Sequence, residues 1–255
     1  MQEMRKNYNI CSWSDEELLD FKQTFYASIH HLDNNFKKVR DAFKEKGIYD
    51  DTAMFVFSDH GAYASEYECA EINANTFEDF LTKVPLMIKP QKGVEIKPRV
   101  CDSLVELTDI SATVSELCGV DFKETTFGKS LVPMFTENVE LRDAVFCEGG
   151  RLESESHCMD GGHDYTNMYW ARTSVQEKMP EHTKAVMCRT HEYKYVYRLY
   201  ESDEFYDLIK DPFEKENEMK YPKYKGIINE MRLRMLDFFV ETGDTVPTHY
   251  DIRNI

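Results

Sequence analysis

Between Ser14 and Gly47 apolar residues return every three or four positions: Leu18, Phe25, Ile29, Leu32, Phe36, Val39 and Phe43. That period predicts one long amphipathic helix whose single apolar stripe is buried. The helix ends are legible too. Ser14 followed three residues later by Glu17 forms a capping box, each side chain taking the other residue's free amide, and Gly47 supplies a left-handed stop. A turn at Ile48–Asp51 then leads into the apolar run Thr52–Phe57, which predicts a buried strand. Helix, tight turn and buried strand make half of an α/β unit.

The four residues that follow, Ser58-Asp59-His60-Gly61, bring chemistry to the carboxyl end of that strand. Open α/β sheets gather their ligands at such ends. An acid beside an imidazole is a plausible pair of donors for a divalent metal. Farther along, residues 61–74 read as a polar loop over the site. Val84–Lys89 reads as a second short strand, which Pro85 confines to a strand start or an edge. Leu104–Cys118 predicts a helix with Leu107, Ile110, Val114 and Leu117 on one face and Gly119 as its stop.

The pattern changes after about residue 138. A strand is expected at Asp143–Cys147, then a loop rich in Gly, His and Asp over Glu148–Asn167. The runs Ala185–Arg189, Tyr193–Leu199 and Glu204–Leu208 predict three strands, the first two an antiparallel hairpin. An amphipathic helix is expected over Tyr224–Glu241, with Gly243 as its cap. The expected fold class is α/β: the C-terminal part of an α/β sheet domain over residues 1–138, then a small antiparallel α+β subdomain over 139–255.

A net charge of −16, from 47 acids and 31 bases, argues against nucleic-acid binding through phosphate neutralisation. Seven scattered cysteines without a CxxC pair exclude a zinc ribbon, and the chain as it stands is expected to be cytoplasmic, where reduced thiols are the default; a missing N-terminal signal would leave the location open. Met1–Ile10 is polar, with no signal-peptide core, and no run is long and apolar enough to span a bilayer.

The order of motifs resembles the C-terminal half of a sulfatase, in the alkaline phosphatase superfamily. Tyr26–Asp33 is similar to the family's helix before its metal strand. Gly47-Ile-Tyr-Asp-Asp-Thr52 with Ser58-Asp-His-Gly61 resembles "G-x-Y-D-x-T … S-D-H-G", and Phe77-Glu78 with Val84–Ile88 resembles "Y-E … V-P-L-I-I". Asp109–Thr113, Gly119 and Gly128-Lys-Ser-Leu131 resemble "D-L-x-P-T … G" and "G-x-S-L". Arg189–Tyr195 and Glu204–Glu214 resemble "R-T-x-x-Y-K-Y" and "E-L-Y-D-L-x-x-D-P-x-E".

The resemblance implies hydrolysis of sulfuric esters, arylsulfatase-like, on a sulfated small molecule or glycan. It implies a formylglycine nucleophile, made from a C/S-x-P-x-R motif, and a divalent cation, with Ca²⁺ as the family habit. Asp59 is the implied anionic metal ligand and His60 stands at the next ligand position, often Asn in the family. An imidazole there suits Mn²⁺ or Zn²⁺ better than Ca²⁺.

Two departures matter. No C/S-x-P-x-R occurs in the 255 residues; the nearest string, Cys147-Glu-Gly-Gly-Arg151, lacks the proline and follows the SDHG motif. The lysine usual four or five residues before the family's Y-E is also missing, where Ile72-Asn73 stand instead. The chain is therefore expected to be inactive alone, as part of a larger enzyme. Alternatives are a phosphodiesterase or phosphonate hydrolase of the same superfamily, or a degenerate non-catalytic module that binds an anion or a partner. His182, ahead of a strand, is a candidate substrate contact. His157, Asp160, His163 and Asp164 read as a mobile Gly-rich loop rather than a metal cluster, and Arg189 and Lys194 as strand-surface charges. Apolar faces left without cover make a homo-oligomer possible.

Overall fold

The computed structural model describes residues 2–72, 75–155, 161–167, 169–177 and 184–248. The chain has a mixed α/β fold of helices and antiparallel sheets. It separates into two compact units, each assembled from stretches distant in sequence. The first takes Met1–Lys92, Gly149–Ala185 and Arg198–Glu201; the second takes Gly93–Glu148, Val186–Tyr197 and Ser202–Ile255.

In the first unit a short helix α1 (Gln2–Tyr8) precedes α2 (Asp15–Glu45). The expected capping box is present: Glu17 N donates to Ser14 Oγ, and Ser14 N donates to Glu17 Oε2 at 2.7 Å. Gly47 takes the left-handed conformation, φ 70°. The expected burial of the stripe is not observed. No α2 residue is buried, and Tyr26 and Leu32 are 65% and 68% exposed. Periodicity shows which face of a helix needs cover; it does not show that residues 1–255 provide it.

Strand β1 (Met54–Phe57) pairs antiparallel with β4 (Leu86–Lys89), Met54 opposite Lys89 and Phe57 opposite Leu86. β4 starts directly after Pro85, the position a proline tolerates. The Lys89 ammonium donates to the carbonyls of Tyr49 (2.7 Å) and Thr52 (3.0 Å) and lies 4.5 Å over the Tyr49 ring, tying β4 to the turn that precedes β1. β1 is half-buried rather than buried, because its one neighbour in this sheet is β4. The small ribbon β2 (Tyr63–Ala64) with β3 (Ala70–Glu71), α3 (Asp79–Thr82) and α5 (Trp170–Gln176) also belong to this unit.

The second unit opens with α4 (Thr108–Cys118), which starts four residues later than expected and stops at Gly119, φ 63°. Its buried residues are the polar Asp109 and Thr113, while Leu107 and Val114 are exposed, the reverse of the expected apolar face. Hydrogen bonding explains the reversal. Asp109 accepts from the backbone of Glu106 (2.8 Å) and Lys129 (2.7 Å) and from both terminal nitrogens of Arg142. The Thr113 hydroxyl donates to Asp109 O and accepts from Leu131 N, at 2.7 and 2.9 Å. The Asp109–Thr113 and Gly128–Leu131 motifs are thus two halves of one clasp. A Cβ on Gly128 would stand 2.2 Å from the Thr108 carbonyl oxygen, so the clasp admits only glycine there.

A four-stranded sheet follows, ordered β5 (Val145–Gly149), β6 (Ala185–Arg189), β7 (Tyr193–Arg198), β8 (Glu204–Asp207); its outermost residues Gly149, Ala185 and Arg198 fall in the first unit. β7 and β8 are antiparallel, Tyr195 opposite Phe205. Helix α6 (Lys225–Thr242) lays Ile228, Met231 and Met235 against Val186, Cys188, Tyr195 and Phe205, the core of this unit. The Met and Phe stripe of this helix is core packing, as its period predicted: Phe238 stacks on Phe146 at 4.3 Å.

Lys194 corrects the sequence reading. It is wholly buried, not a surface charge, and its ammonium donates to the equally buried Glu214. The pair joins the "Y-K-Y" strand to the "D-P-x-E" turn.

Removing one member of a buried pair leaves an uncompensated charge. Arg142→Ala is expected to lower stability by about 3–5 kcal/mol in urea unfolding, whereas the double change Asp109→Asn, Arg142→Met loses much less.

Candidate functional site

Ser58-Asp59-His60-Gly61 leaves β1 and docks on α3. Gly61 N donates to Leu81 O at 2.8 Å, and an added Cβ would sit 1.8 Å from the Phe80 carbonyl oxygen. Close backbone approach, not a special φ, therefore demands glycine. Upstream of that contact the turn is locked by local bonds. Ser58 Oγ donates to His60 O (2.6 Å), and His60 N donates to Asp59 Oδ1 (3.0 Å).

His60 Nδ1 lies 2.8 Å from Gly61 O. A carbonyl only accepts, so Nδ1 is the donor here, and in the neutral ring the lone pair lies on Nε2. Nε2 stands 3.8 Å from Asp59 Oδ2, and the two side chains are 52% and 83% exposed. The pair offers one imidazole nitrogen and one carboxylate oxygen to the same volume of solvent. These donors fit a divalent cation, but as two corners of a shell that takes four or more ligands. Among the described residues no group of three or more His, Cys, Asp or Glu could hold a metal.

The stretch after Gly61, expected as a polar loop over the site, folds compactly over residues 61–72. Tyr63 and Cys69 are buried together with Leu81, and Tyr63, Tyr67 and Phe80 meet edge to face. The Tyr63 hydroxyl donates to Glu78 Oε2 at 2.5 Å and lies 3.1 Å from Thr76 Oγ1. Burial, then the Glu78 carboxylate, push this phenol far above the usual range. Phe77-Glu78 is therefore anchored by a tyrosine fifteen residues away. Arg198, nearly buried, donates to Asn75 O at 3.0 Å and lies over the Phe77 ring. Ser65, Tyr67, Glu68, Glu71 and Asn75 all have positive φ, a concentration of backbone strain that packing on both sides must hold. Tyr63 and Arg198 escaped the sequence reading because neither lies in a short motif; the single hint was an isolated tyrosine after the SDHG glycine.

The other candidates divide. His182, His157 and Asp160 lie outside the described residues. Asp164 accepts from Thr166 N (2.8 Å) and from its hydroxyl, which hold its carboxyl below the usual range in a local turn, and the His163 ring is 6.0 Å from that of Tyr169. Both belong to the polar loop that was expected there. Burial, then Glu148, push the Cys147 thiol up, the opposite of an activated nucleophile. No helix among the described residues is long and apolar enough to cross a membrane.

Residues 2–120 match the family model described as Sulfatase. The choline-sulfatase of Rhizobium meliloti is 27% identical over 213 residues, covering 82% of this chain and 35% of the relative. The Delta 4,5-hexuronate-2-O-sulfatase of Bacteroides thetaiotaomicron is 24% identical, covering 94% and 45%. The crystal structure of the phosphonate monoester hydrolase of Agrobacterium radiobacter superposes with a TM-score of 0.74 at 21% identity, covering 94% of this chain and 47% of that one. At that identity the likeness concerns the fold. The chain spans less than half the length of each of these proteins.

Replacing Gly61 tests the docking. Gly61→Ala must push the SDHG turn off α3, and we expect a loss of about 1–3 kcal/mol in thermal or urea unfolding, with faster proteolytic cleavage between residues 61 and 82. Unchanged stability and cleavage would count against the contact.

Proposed function

We propose that the chain, whose residues 2–120 match the Sulfatase family model, is the C-terminal portion of a metal-assisted sulfuric ester hydrolase of the sulfatase family, in the alkaline phosphatase superfamily. The observation that carries this reading is the Asp59–His60 pair, whose Oδ2 and Nε2 stand 3.8 Å apart at the end of β1. A bound divalent cation would neutralise sulfate oxygens as charge develops on the transferred group. Asp59 brings the negative charge that holds such an ion. His60, its tautomer fixed by the Gly61 carbonyl, brings a neutral nitrogen donor. Gly61 keeps both in register by closing the backbone on α3. Family habit favours Ca²⁺, while the imidazole favours Mn²⁺ or Zn²⁺.

The nucleophile, as a formylglycine, and the rest of the metal shell would come from polypeptide outside these 255 residues, which contain no C/S-x-P-x-R. The substrate class is a sulfated small molecule or glycan, a reading supported by the names of the choline and hexuronate sulfatases. Phosphate or phosphonate esters are the second reading, favoured by a nitrogen donor where the family often has an amide. The uncovered stripe of α2 favours self-association of this chain when it stands alone.

Two measurements test the proposal. Titration with Mn²⁺, Zn²⁺ and Ca²⁺ in a calorimeter should show weak binding by residues 1–255, at least tenfold weaker in Asp59→Ala, a loss of about 1.4 kcal/mol or more; no difference between the two proteins would overturn the ligand assignment. Residues 1–255 should also leave 4-nitrophenyl sulfate and 4-nitrophenyl phosphate intact. Sulfate-ester turnover that disappears in Asp59→Ala would refute the need for a second portion.

A further inference from the structure

Gly61 is bonded through both of its backbone groups. Its N–H donates to Leu81 O at 2.8 Å, and its carbonyl accepts from the His60 ring at 2.8 Å. The aim of the imidazole therefore depends on where α3 presents Leu81. Helix α3 cannot secure that place by itself. Its four residues are far fewer than local terms sustain as a helix in water, and its N-cap residue, Glu78, makes no side-chain cap bond. What the helix takes from Glu78 is the carbonyl, which accepts from Leu81 N (2.8 Å) and Thr82 N (3.1 Å).

The Glu78 carboxylate instead accepts the Tyr63 hydroxyl at 2.5 Å. A phenol has one hydrogen to give, so the Thr76 hydroxyl, 3.1 Å away, donates to the phenol oxygen. Thr76, Tyr63 and Glu78 thus form a relay in one direction, each bond polarising the next. Packing fixes the phenol as well: Tyr63 is buried, its ring meets Tyr67 edge to face, and Tyr67 meets Phe80 in the same way. Two hydrogen bonds, Gly61 N to Leu81 O and Tyr63 Oη to Glu78 Oε2, then close a ring through residues 61–63 and 78–81.

This ring works against a load. Just beyond Tyr63, the residues Ser65, Tyr67, Glu68 and Glu71 take φ between 55° and 85°, a region that disfavours any side chain. Once the ring opens, the strained ribbon can relax and carry Tyr63 and the Gly61 carbonyl with it. We propose that Tyr63 is a positioning residue for the Asp59–His60 pair, its hydroxyl holding α3 in the place from which Gly61 fixes the imidazole. It acts through Glu78 and Gly61 rather than on a bound ion. That role rests on the metal-donor reading of the pair; the effect on the His60 ring does not.

The test compares residues 1–255 with Tyr63→Phe, Glu78→Leu, Glu78→Gln and the double change Tyr63→Phe, Glu78→Leu. One readout is Mn²⁺ affinity by calorimetry. The other is the nitrogen NMR spectrum of the His60 ring in metal-free protein, at a pH where the ring is neutral, which distinguishes the Nδ1–H from the Nε2–H form. Tyr63→Phe and Glu78→Leu should each bind Mn²⁺ about fivefold more weakly, and the double change no more weakly than either, because both break one bond. Glu78→Gln keeps an acceptor oxygen and should stay within about twofold of the wild type. The Nδ1–H form expected in the wild type should give way to a mixture in the two weak variants. Tyr8→Phe removes a buried hydroxyl beside the same apolar cluster, one with no hydrogen-bond partner among the described residues, and should change neither readout. Urea unfolding places every variant in its folded baseline, so lost stability alone moves neither readout. Where the wild type binds Mn²⁺, an unchanged affinity or an unchanged ring spectrum in Tyr63→Phe overturns the positioning role and leaves the metal reading standing. Where it binds none, the metal reading fails and the ring spectrum decides: a mixture in Tyr63→Phe that Glu78→Gln does not share keeps the role, and any other pattern refutes it.

Discussion

A carboxylate with no access to water must find all its partners inside the protein, and Asp109 organises much of the second unit by doing so. Its two oxygens take two backbone amides and a guanidinium. Those partners come from the residues just before α4, from the Gly128–Leu131 turn and from the approach to β5. A buried unpaired charge would cost several kcal/mol; the geometry of the three segments therefore has little freedom. Glu106 extends the same arrangement, lying 3.6 Å from Arg142 and accepting from Phe146 N, the second residue of β5. The Lys194–Glu214 pair repeats the principle on the other side of the sheet's sequence, where it fixes the turn after β8 to β7.

The first unit rests on a different constraint, the absence of a side chain. Gly61 lets the backbone after β1 touch the backbone of α3, and the two candidate metal donors are aimed by the turn this contact stabilises. Strained residues between Gly61 and Phe77 are held from one side by the Tyr63–Glu78 bond and from the other by Arg198. The candidate site thus combines two exposed polar side chains with a buried, over-determined support.

Local signals in the sequence proved reliable where local physics decides. The Ser14–Glu17 capping box, the Gly47 and Gly119 stops, the strand after Pro85 and the apolar face of α6 all follow from interactions within a few residues. The failures share a cause as well. The burial of Lys194, the inward polar face of α4 and the anchoring of Phe77-Glu78 depend on partners 15 to 33 residues away. A lysine in a strand reads as a surface charge until a glutamate twenty residues later turns up beside it. Asp59 and His60 were legible as a pair because they are adjacent in sequence at a strand end; the support beneath them was not.

Helix α2 has an energetic standing unlike the rest of the protein. It is about 46 Å long by its 31 residues, well capped, and no side chain on it is buried. Its helicity therefore depends on local terms, such as caps, propensity and the Lys37–Asp41 pair, which each contribute a fraction of a kcal/mol to about one. Its backbone amides are therefore expected to open largely by local fraying rather than by global unfolding. Anything that covers the Tyr26–Ile29–Leu32–Phe36 face would move α2 from the least protected class of amides to the most protected. The helix is thus a built-in reporter of whether the apolar face of this chain is occupied.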